Sequence, residues 1–279
     1  MKVVLLVNEA SGSGTDAGGL EAALRRGGAE VRRLPVDRAA EAAEHGPERL
    51  VVAGGDGSVA PAADAAGVIG VPLAVIATGT ANDFARRMGL PADPDEACRL
   101  AAGGSRLRPL DLARLGGRPF VNVASAGLAS GAARRARPLK GALGPLAYIV
   151  GALREAVAAR PLRCAVSCDG RELFAGLAWQ LMVGCSGAFG AGSRLAEADP
   201  ADGLLDAVVI EAGPRVRLAR HAYALRRGRV SDQPGVVHGR GRVVELDLPA
   251  GERLNVDGEL VPAGPRAQVD PGRFELVVG

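Results

Sequence analysis

The sequence contains very little lysine, although it is not short of positive charge. Of 34 lysines and arginines in 279 residues, only Lys2 and Lys140 are lysine. A Walker-type phosphate loop requires the string GxxxxGK[ST], and neither lysine stands in such a string. Neither lysine lies in a VAIK-like strand, which supplies the lysine of a protein-kinase site. The sequence therefore excludes these two lysine-dependent phosphate sites.

Histidine is equally scarce. His45, His221 and His238 are far apart and form neither an HExxH nor an HxxxH pair. This pattern argues against a histidine-rich metal centre, while metal sites built from oxygen ligands remain open.

Four cysteines are present, and no CxxC pair or signal peptide accompanies them. This pattern predicts a cytoplasmic protein without disulfides. Residues 173–193 carry no charge, but they include Gln180 and five glycines. Glycine is costly inside helices, so we interpret this stretch as a buried strand that runs into a glycine-rich loop, and not as a membrane span.

The net charge of +3 is too small to indicate a nucleic-acid partner. Arginines are nevertheless clustered at residues 134–137 and, more densely, at residues 215–229. Two interpretations stay open for these clusters: a solvated protein face, or a surface that contacts acidic lipid headgroups.

The first hundred residues alternate between apolar strands and helices. Strands are predicted at residues 2–7, 30–34, 49–53 and 72–77, with helices near 20–26, 39–44 and 61–66. Continuous apolar strands that alternate with helices indicate a parallel sheet covered on both faces. Ligands of such sheets bind beyond the carboxyl ends of the strands, where polar glycine loops begin here at Asn8, Gly54 and Gly79.

After residue 107 the pattern changes to short strands with turn signals, among them the dipeptide Asp169-Gly170. Helices are expected only near residues 143–158 and 216–226. The sequence predicts an α/β fold for an N-terminal domain, residues 1–107, with a parallel sheet and glycine-rich nucleotide loops. It is followed by a mainly antiparallel, β-sandwich-like domain, residues 108–279, whose last strand, about 270–279, is expected to return to the first domain.

Two loops of the first domain carry the residues expected to bind phosphate. A buried strand ends in Gly54, Gly55, Asp56, Gly57 and Ser58. Successive glycines let backbone N–H groups approach a phosphate, and the helix that follows adds its positive end. A carboxylate beside a phosphate indicates Mg²⁺ or a polar network between them. A tight turn without a ligand is the alternative for this loop alone.

The second loop, residues 77–86, reads ATGTANDFAR and follows the next buried strand. Asn82 suits a helix N-cap, with Asp83 in the first turn. Capping explains Asn82 but not the preceding Gly79 and Thr80. Two such loops one strand apart predict a shared phosphate cradle, with Arg86 and Arg137 as candidate cations.

Together these motifs resemble those of the diacylglycerol kinase catalytic family, the bacterial lipid kinases related to sphingosine kinases. Four further matches follow the family's order: NEASG at residues 8–12, LDL at 110–112 with FVNV at 120–123, DPADGLLD at 199–206 and NVDGE at 255–259. The resemblance implies a nucleotide-binding domain, a lipid-substrate domain and ATP bound in the cleft between them.

The resemblance also implies roles for individual residues. Glu259 matches the general base, and Asp56 and Asp111 are the other catalytic candidates. The Asp202 carboxylate, with main-chain oxygens of Asp199 and Leu204, would hold magnesium. The residues expected to contact the nucleotide are Asn8, Gly54, Gly55, Asp56, Gly57, Ser58, Gly79, Thr80 and Asn82.

The sequence thus predicts Mg²⁺-dependent transfer of phosphate from ATP to a diacylglycerol-like or sphingoid lipid by a cytoplasmic protein that meets its lipid substrate at the membrane surface. Two alternatives stay open, and so does the oligomeric state. A catalytically weak lipid-binding or regulatory protein is suggested by Ala60 and Pro61, which replace a polar pair of the family, and by a first loop without lysine or arginine. An NAD kinase would share the GGDG loop, but residues 78–86 argue against it.

Overall fold

The computed structural model describes residues 1–8, 16–128, 160–190, 193–195 and 197–279. The elements of these ranges, in chain order, are β1 (Lys2–Val7), α1 (Ala17–Arg26), β2 (Glu30–Pro35), a 3₁₀ segment (Val36–His45), β3 (Arg49–Gly54), α2 (Asp56–Ile69), β4 (Leu73–Ala77), α3 (Asp83–Arg87), α4 (Pro94–Gly103), β5 (Arg106–Leu115), β6 (Arg118–Phe120), β7 (Val123–Gly127), β8 (Leu162–Cys168), β9 (Arg171–Gly184), β10 (Ala188–Phe189), β11 (Ser193–Arg194), β12 (Leu205–Glu211), α5 (Val216–Arg226), β13 (Val236–Gly241), β14 (Val243–Asp247), β15 (Arg253–Val256), β16 (Glu259–Pro262) and β17 (Arg266–Val278).

The N-terminal part is a parallel sheet in the order β2-β1-β3-β4, as its apolar strands predict. Both faces of β1 are buried. Val4 and Leu6 pack with residues of α2 and the 3₁₀ segment, whereas Leu5 packs with residues of α1 and α4. Because all four strands run in the same direction, the loops that follow β1, β3 and β4 meet at one edge of the sheet.

The C-terminal part is mainly antiparallel, as predicted. The long strand β9 pairs with β7, β8 and β12. Asp169 and Gly170 close the β8–β9 hairpin with φ angles of 49° and 76°, which fits the Asp-Gly turn signal. Cys164 and Cys168 lie on the buried face of β8, and all four cysteines are free.

The two parts share one continuous sheet, because β17 pairs with strands of both. It runs antiparallel to β5 and β14, and its Leu276 aligns with Leu73 of the parallel strand β4. The Arg114 side chain of β5 lies between α2 and β17, 2.5 Å from Asp64 and 2.6 Å from Asp270. The hydrogen bond from Arg114 holds the pKa of the Asp64 carboxyl below its usual range.

The 3₁₀ segment replaces an expected α-helix near residues 39–44. Ala39 and Ala42 are both buried within it. Residues three apart lie on one side of a 3₁₀ helix, so this winding turns both alanines toward the core. Helix α2 also differs from expectation, because it begins at Asp56, five residues before the predicted start.

Residues 119–124 form a largely apolar run typical of a strand, but the structure interrupts it between β6 and β7. The backbone N–H groups of Val121 and Asn122 donate to the Asp257 carboxylate. The Asp257 carboxylate therefore accepts the hydrogen bonds that a neighbouring strand would otherwise accept here. The helix expected near residues 143–158 lies outside the described residues. None of the helices in the described ranges combines the length and apolar composition that crossing a bilayer requires.

Candidate functional site

The two predicted phosphate loops pack backbone to backbone at the ends of β3 and β4. A Cβ atom on Gly79 would lie 2.5 Å from the Cα atom of Gly55, and one on Gly54 would lie 2.5 Å from Ser58 Oγ. The Thr78 N–H donates to the Gly54 carbonyl at 3.0 Å. Glycine is required at position 79 because a larger residue would push the two loops apart, and at position 54 because a side chain would displace Ser58.

The first turn of α2 lies at the same edge of the sheet. Gly55 is the N-cap in an extended conformation, and Asp56, Gly57 and Ser58 form the first turn. The first N–H groups of a helix have no intrahelical acceptor and lie at the positive end of its dipole. Gly57 is exposed there. This helix N-terminus can therefore bind an anion such as a phosphate.

Asn8 attaches the end of β1 to this turn. Its side-chain Nδ2 donates to Ser58 Oγ at 3.1 Å, and its backbone N–H donates to the Ala53 carbonyl at 3.1 Å. Ser58 is only 1% exposed, so its hydroxyl serves the loop packing. Residues 9–12 of the expected NEASG motif lie outside the described residues.

Asp56 connects the two loops through its carboxylate. Oδ2 accepts from the Asp83 N–H at 3.1 Å, and Oδ1 accepts from the Phe84 N–H at 2.8 Å. These are N–H groups at the start of α3, so Asp56 caps a helix that is distant in sequence. Asn122 Nδ2 donates to the same Oδ1 at 3.3 Å, which adds a contact from the C-terminal part.

The expectation that the Asn82 side chain caps α3 is wrong. Asn82 precedes the helix with a φ of 51°, in the left-handed region, and makes no side-chain cap. Its amide instead exchanges two hydrogen bonds of 2.9 Å with the backbone of Gly79. The left-handed backbone turns the amide toward Gly79, and the capping function passes to Asp56. Thr80 is exposed at the tip of the same loop.

Of the candidate cations, Arg86 is engaged locally. It pairs with Asp83 at 2.9 Å and donates to the Ala81 carbonyl, and its side chain is 57% exposed. Arg137 and Lys140 lie outside the described residues.

Glu259 brings a carboxylate from the C-terminal part to the first turn of α2. A Cβ on Gly57 would lie 3.1 Å from Glu259 Oε1. The other oxygen, Oε2, accepts from Arg118 Nη2 at 2.5 Å. The Glu259 side chain is more than half exposed, so it can reach a substrate. Sequence reasoning missed Arg118, which stands in a short strand without any motif.

Asp257 is a second carboxylate that sequence reasoning left without a role. It accepts from the N–H groups of Val121, Asn122 and Val123 at 2.8, 3.0 and 3.1 Å. Burial raises the pKa of this carboxyl to about 7, and the nearby charge of Asp56 adds to the rise. The dipeptide DG at 257–258 signals a turn, but nothing local in the sequence signals these long-range partners.

Asn122 is a further residue that the sequence did not single out for a role. It is 4% exposed and lies between Asp56, to which its Nδ2 donates, and Ser186, whose hydroxyl donates to its Oδ1 at 2.7 Å. Because Ser186 belongs to the C-terminal part, this chain of contacts fixes the first loop relative to that part.

The expected magnesium turn lies on β12 and the residues before it. Asp202 Oδ1 accepts from the Leu204 N–H at 3.0 Å, and Oδ2 pairs with Arg240. Arg240 also lies 3.2 Å from Asp206, which is buried and whose Oδ2 has no hydrogen-bond partner. Hard oxygen atoms of this kind suit magnesium. No group of three acidic, histidine or cysteine side chains in the described ranges could hold a metal, so main-chain oxygens such as those of Asp199 and Leu204 would be needed.

Asp111 lies at the base of this turn. Its carboxylate accepts from the N–H groups of Gly203 and Gly272, each at 2.7 Å, and burial raises its pKa. Its own N–H donates to the Pro200 carbonyl at 2.7 Å. These contacts order the turn and a bend in β17. The catalytic role expected for Asp111 stays a prediction.

Both parts of the chain match known families. Residues 2–115 match the diacylglycerol kinase catalytic domain, and residues 122–278 match the YegS C-terminal NAD kinase beta sandwich-like domain. A probable YegS-like lipid kinase of Pseudomonas putida is 32% identical over 247 residues, which are 85% of this chain and 79% of that protein. The diacylglycerol kinase of Mycobacterium tuberculosis is 29% identical over 275 residues, 92% of this chain and 88% of that protein.

Solved structures share the fold. A diacylglycerol kinase from Bacillus anthracis superposes with a TM-score of 0.79 at 21% identity, covering 100% of this chain and 97% of that one. An NAD kinase from Archaeoglobus fulgidus in complex with ATP gives a TM-score of 0.53 at 15% identity, with 100% and 94% covered. With domain matches that together span most of its length and a relative at 32% identity, the chain belongs to the lipid kinase family that comprises the diacylglycerol kinases and YegS-like lipid kinases.

Proposed function

We propose that this protein transfers the γ-phosphate of ATP to a hydroxyl group of a diacylglycerol-like or sphingoid lipid, with magnesium, in a cleft between its two parts. The observation that carries this proposal is the position of Glu259, whose carboxylate faces the first turn of α2. A carboxylate opposite a helix N-terminus is the arrangement that phosphoryl transfer to a hydroxyl needs.

The nucleotide would bind with its phosphates at the paired loops. The N–H groups of Gly55, Asp56 and Gly57 supply donors, and Asn8, Gly79, Thr80 and Asn82 border the same edge. Glycines at these positions let the phosphate approach the backbone, and the α2 dipole stabilises its negative charge. Since the loop segments 54–58 and 77–86 contain no lysine, we expect backbone groups and a cation to neutralise the phosphates.

Magnesium bound at the turn would be held by the Asp202 carboxylate and the main-chain oxygens of Asp199 and Leu204. When bound, it would supply positive charge at this turn.

In the transfer step, Glu259 accepts the proton of the lipid hydroxyl as the hydroxyl oxygen forms its bond to the γ-phosphorus. The bond from that phosphorus to the β–γ bridging oxygen breaks, and ADP leaves with the electron pair. Arg118 holds Glu259 through one oxygen and leaves the other directed at the α2 turn. Asp56 and Asn122 keep the two loops in position by the contacts described above.

The test is a transfer assay with labelled ATP and a panel of lipids in mixed micelles: diacylglycerol, monoacylglycerol, sphingosine and ceramide, with NAD as a non-lipid acceptor. We expect a labelled phospholipid from at least one glycerol- or sphingoid-based acceptor. Label on NAD alone would instead indicate an NAD kinase.

The Glu259→Gln variant is expected to lower kcat by about 10²- to 10⁴-fold. Its affinity for ATP, measured by calorimetry with magnesium present, should stay within a few-fold of the original. Glu275→Gln is the matched control, because Glu275 is an exposed glutamate on β17. Transfer by Glu259→Gln at the original rate would exclude Glu259 as the base.

Calorimetry also separates a kinase from a lipid-binding or regulatory protein of the same fold. Pro61 lies inside α2, where it has no N–H to donate to the Gly57 carbonyl. If the missing hydrogen bond weakens the first turn of α2, the phosphate loop before it would bind ATP poorly. Absence of both ATP binding and transfer would favour the regulatory alternative and contradict the proposal.

A further inference from the structure

Helix α5 and the residues beside it carry a high density of positive charge. Between Glu211 and Asp232 the chain has no acidic residue. It has six arginines in that interval, at Arg215, Arg217, Arg220, Arg226, Arg227 and Arg229. In the parts that the structure describes, Arg226 and Arg227 form no ion pair, and Arg220 donates to the uncharged amide of Gln233 at 2.7 Å.

The inner face of α5 fixes the orientation of the helix. His221 and Ala224 are buried, and Leu218 and Leu225 pack against the apolar cluster that contains Trp179. The indole N–H of Trp179 donates to the Gly213 carbonyl at 3.0 Å, just before the helix begins. With one face held in this way, the opposite face has a defined direction toward solvent.

That opposite face combines apolar and cationic side chains. Val216 is 83% exposed and Tyr223 is 63% exposed. They lie seven residues apart, two helical turns on one side, and Arg220 stands between them. Arg227 follows one turn later, with its guanidinium 5.5 Å from the centre of the Tyr223 ring. We call Val216, Arg220, Tyr223 and Arg227 the outer face of α5.

We propose that the outer face of α5 docks the protein onto the anionic surface of a lipid bilayer. Unneutralised arginines are attracted to acidic headgroups, while an aromatic ring and an apolar side chain on the same face can enter the interface. An acidic protein partner would match the charge but would not explain why Val216 and Tyr223 are left so exposed along one helical face. This inference rests on the proposed function, because a kinase for a bilayer lipid must reach that lipid at a membrane.

The place of α5 in the fold agrees with this assignment. The helix packs beside β11, β11 pairs with β10, and β10 contacts α3. The N-terminus of α3 is in turn held by Asp56 of the first phosphate loop. Helix α5 is thus connected to the two phosphate loops through the β10–β11 hairpin and α3.

The experiment is sedimentation of the full chain with vesicles, in the absence of ATP. One set of vesicles contains phosphatidylcholine alone, and the other contains phosphatidylcholine with phosphatidylglycerol. We expect binding to the anionic vesicles that falls steeply as salt is raised, because salt screens surface charge. Equal binding to both vesicle types, or binding indifferent to salt, would overturn the proposal.

Arg220→Gln combined with Arg227→Gln is expected to lower the vesicle partition coefficient about 25-fold, from roughly fivefold per arginine. Tyr223→Ser tests the apolar contribution without altering charge and should also weaken binding. The charge-matched control is Arg32→Gln with Arg33→Gln, two exposed arginines of β2. Circular dichroism checks that each variant is folded. Equal loss in the control pair, or no loss in the α5 pair and Tyr223→Ser, would show that the outer face is not the docking surface.

A parallel assay on a short-chain, water-dispersed diacylglycerol keeps the two proposals apart. If the α5 variants retain that activity but lose vesicle binding, both proposals are supported. If vesicle binding is as expected and no phosphate transfer is found, the proposed function fails and the docking surface stands. If transfer is found and vesicle binding does not depend on α5, the docking inference alone fails.

Discussion

Arg118 and Glu259 form a close ion pair, with Arg118 Nη2 2.5 Å from Glu259 Oε2. Arg118 belongs to β6 and Glu259 to β16, and each side chain is about half exposed. An exposed ion pair contributes little to stability, so its value here lies in orientation. The pair leaves Glu259 Oε1 facing Gly57 of the α2 turn.

Replacing Arg118 should therefore impair catalysis more than folding. We expect Arg118→Gln to lower kcat about tenfold, because Glu259 is no longer held in one direction, while KM for ATP changes little. Arg118→Lys should recover part of the loss, since an ammonium can still pair with one oxygen. The measurement is steady-state phosphate transfer to the best lipid of the panel. A rise in KM for ATP at constant kcat would mean that Arg118 contacts the nucleotide instead.

Asp56 should be important for the stability of the loops as well as for the site. In Asp56→Asn, an NH₂ group replaces one of the two carboxylate oxygens. It faces either the Asp83 N–H or the Phe84 N–H, and that N–H then loses its acceptor. We expect the free energy of unfolding to fall by about 1–3 kcal/mol, the cost of an unsatisfied partly buried donor. Urea unfolding measures this. Asp95→Asn, an exposed aspartate in the first turn of α4, is the control and should change stability by less than about 0.5 kcal/mol.

Asp257 predicts a dependence of stability on pH. Burial raises its pKa to about 7 in the folded protein, whereas an unfolded aspartate titrates near about 3.9. The folded state thus binds the proton more tightly, so this contribution to stability is complete below about pH 4 and is lost as the pH rises through about 7. A pKa difference of this size corresponds to a contribution of about 4 kcal/mol to the free energy of unfolding.

The measurement is urea unfolding at several pH values between about 5 and 8, with Asp257→Asn as comparison. The wild-type protein should lose stability relative to Asp257→Asn as the pH rises. The variant is expected to be the less stable protein at the acid end, because an amide cannot accept all three N–H groups of residues 121–123. Parallel pH curves for the two proteins would contradict the raised pKa.

The strands of the N-terminal part could be predicted from the sequence because their signal is local. A continuous apolar run such as that of β3 is dictated by burial on both faces, and the GGDGS string follows directly. The Asp-Gly turn at residues 169–170 is local in the same sense. By contrast, the start of α2 at Asp56 was missed, because glycines are weak helix formers and only the packing of the two loops makes them helical here.

Within the candidate site, single motifs could be found but their connections could not. Asp56 was recognised as part of a loop, yet its role as the cap of α3 depends on a partner 27 residues away. Asn82 was assigned that role because its position and residue type suit an N-cap. Its φ of 51° is left-handed, and its amide bonds to the backbone of Gly79, which residue type and position alone do not indicate. The same holds for Asn122 and Asp257, whose hydrogen-bond partners lie far away in the chain: Asp56 is 66 residues from Asn122, and Val121 is 136 residues from Asp257.

Arg240 and magnesium are expected to compete for the same turn. Arg240 neutralises Asp202 and the buried Asp206, so a divalent cation at Asp202 must share or displace the guanidinium. In Arg240→Met, Asp202 loses its ion pair, and Asp206 retains only its contact with His238 Nε2 at 2.7 Å. We expect the free energy of unfolding in EDTA to fall by about 2 kcal/mol.

Magnesium should restore much of this loss, because a cation that binds only the folded state stabilises it by mass action. Thermal unfolding, followed with and without Mg²⁺, should therefore show a larger rise in Tm for Arg240→Met than for the wild-type protein. Arg253→Met is the control, since Arg253 is an exposed arginine of β15 that bonds only to the Leu260 carbonyl among described residues. An equal magnesium effect on all three proteins would mean that the cation does not bind where Arg240 does, and that the predicted site at Asp199, Asp202 and Leu204 is misplaced.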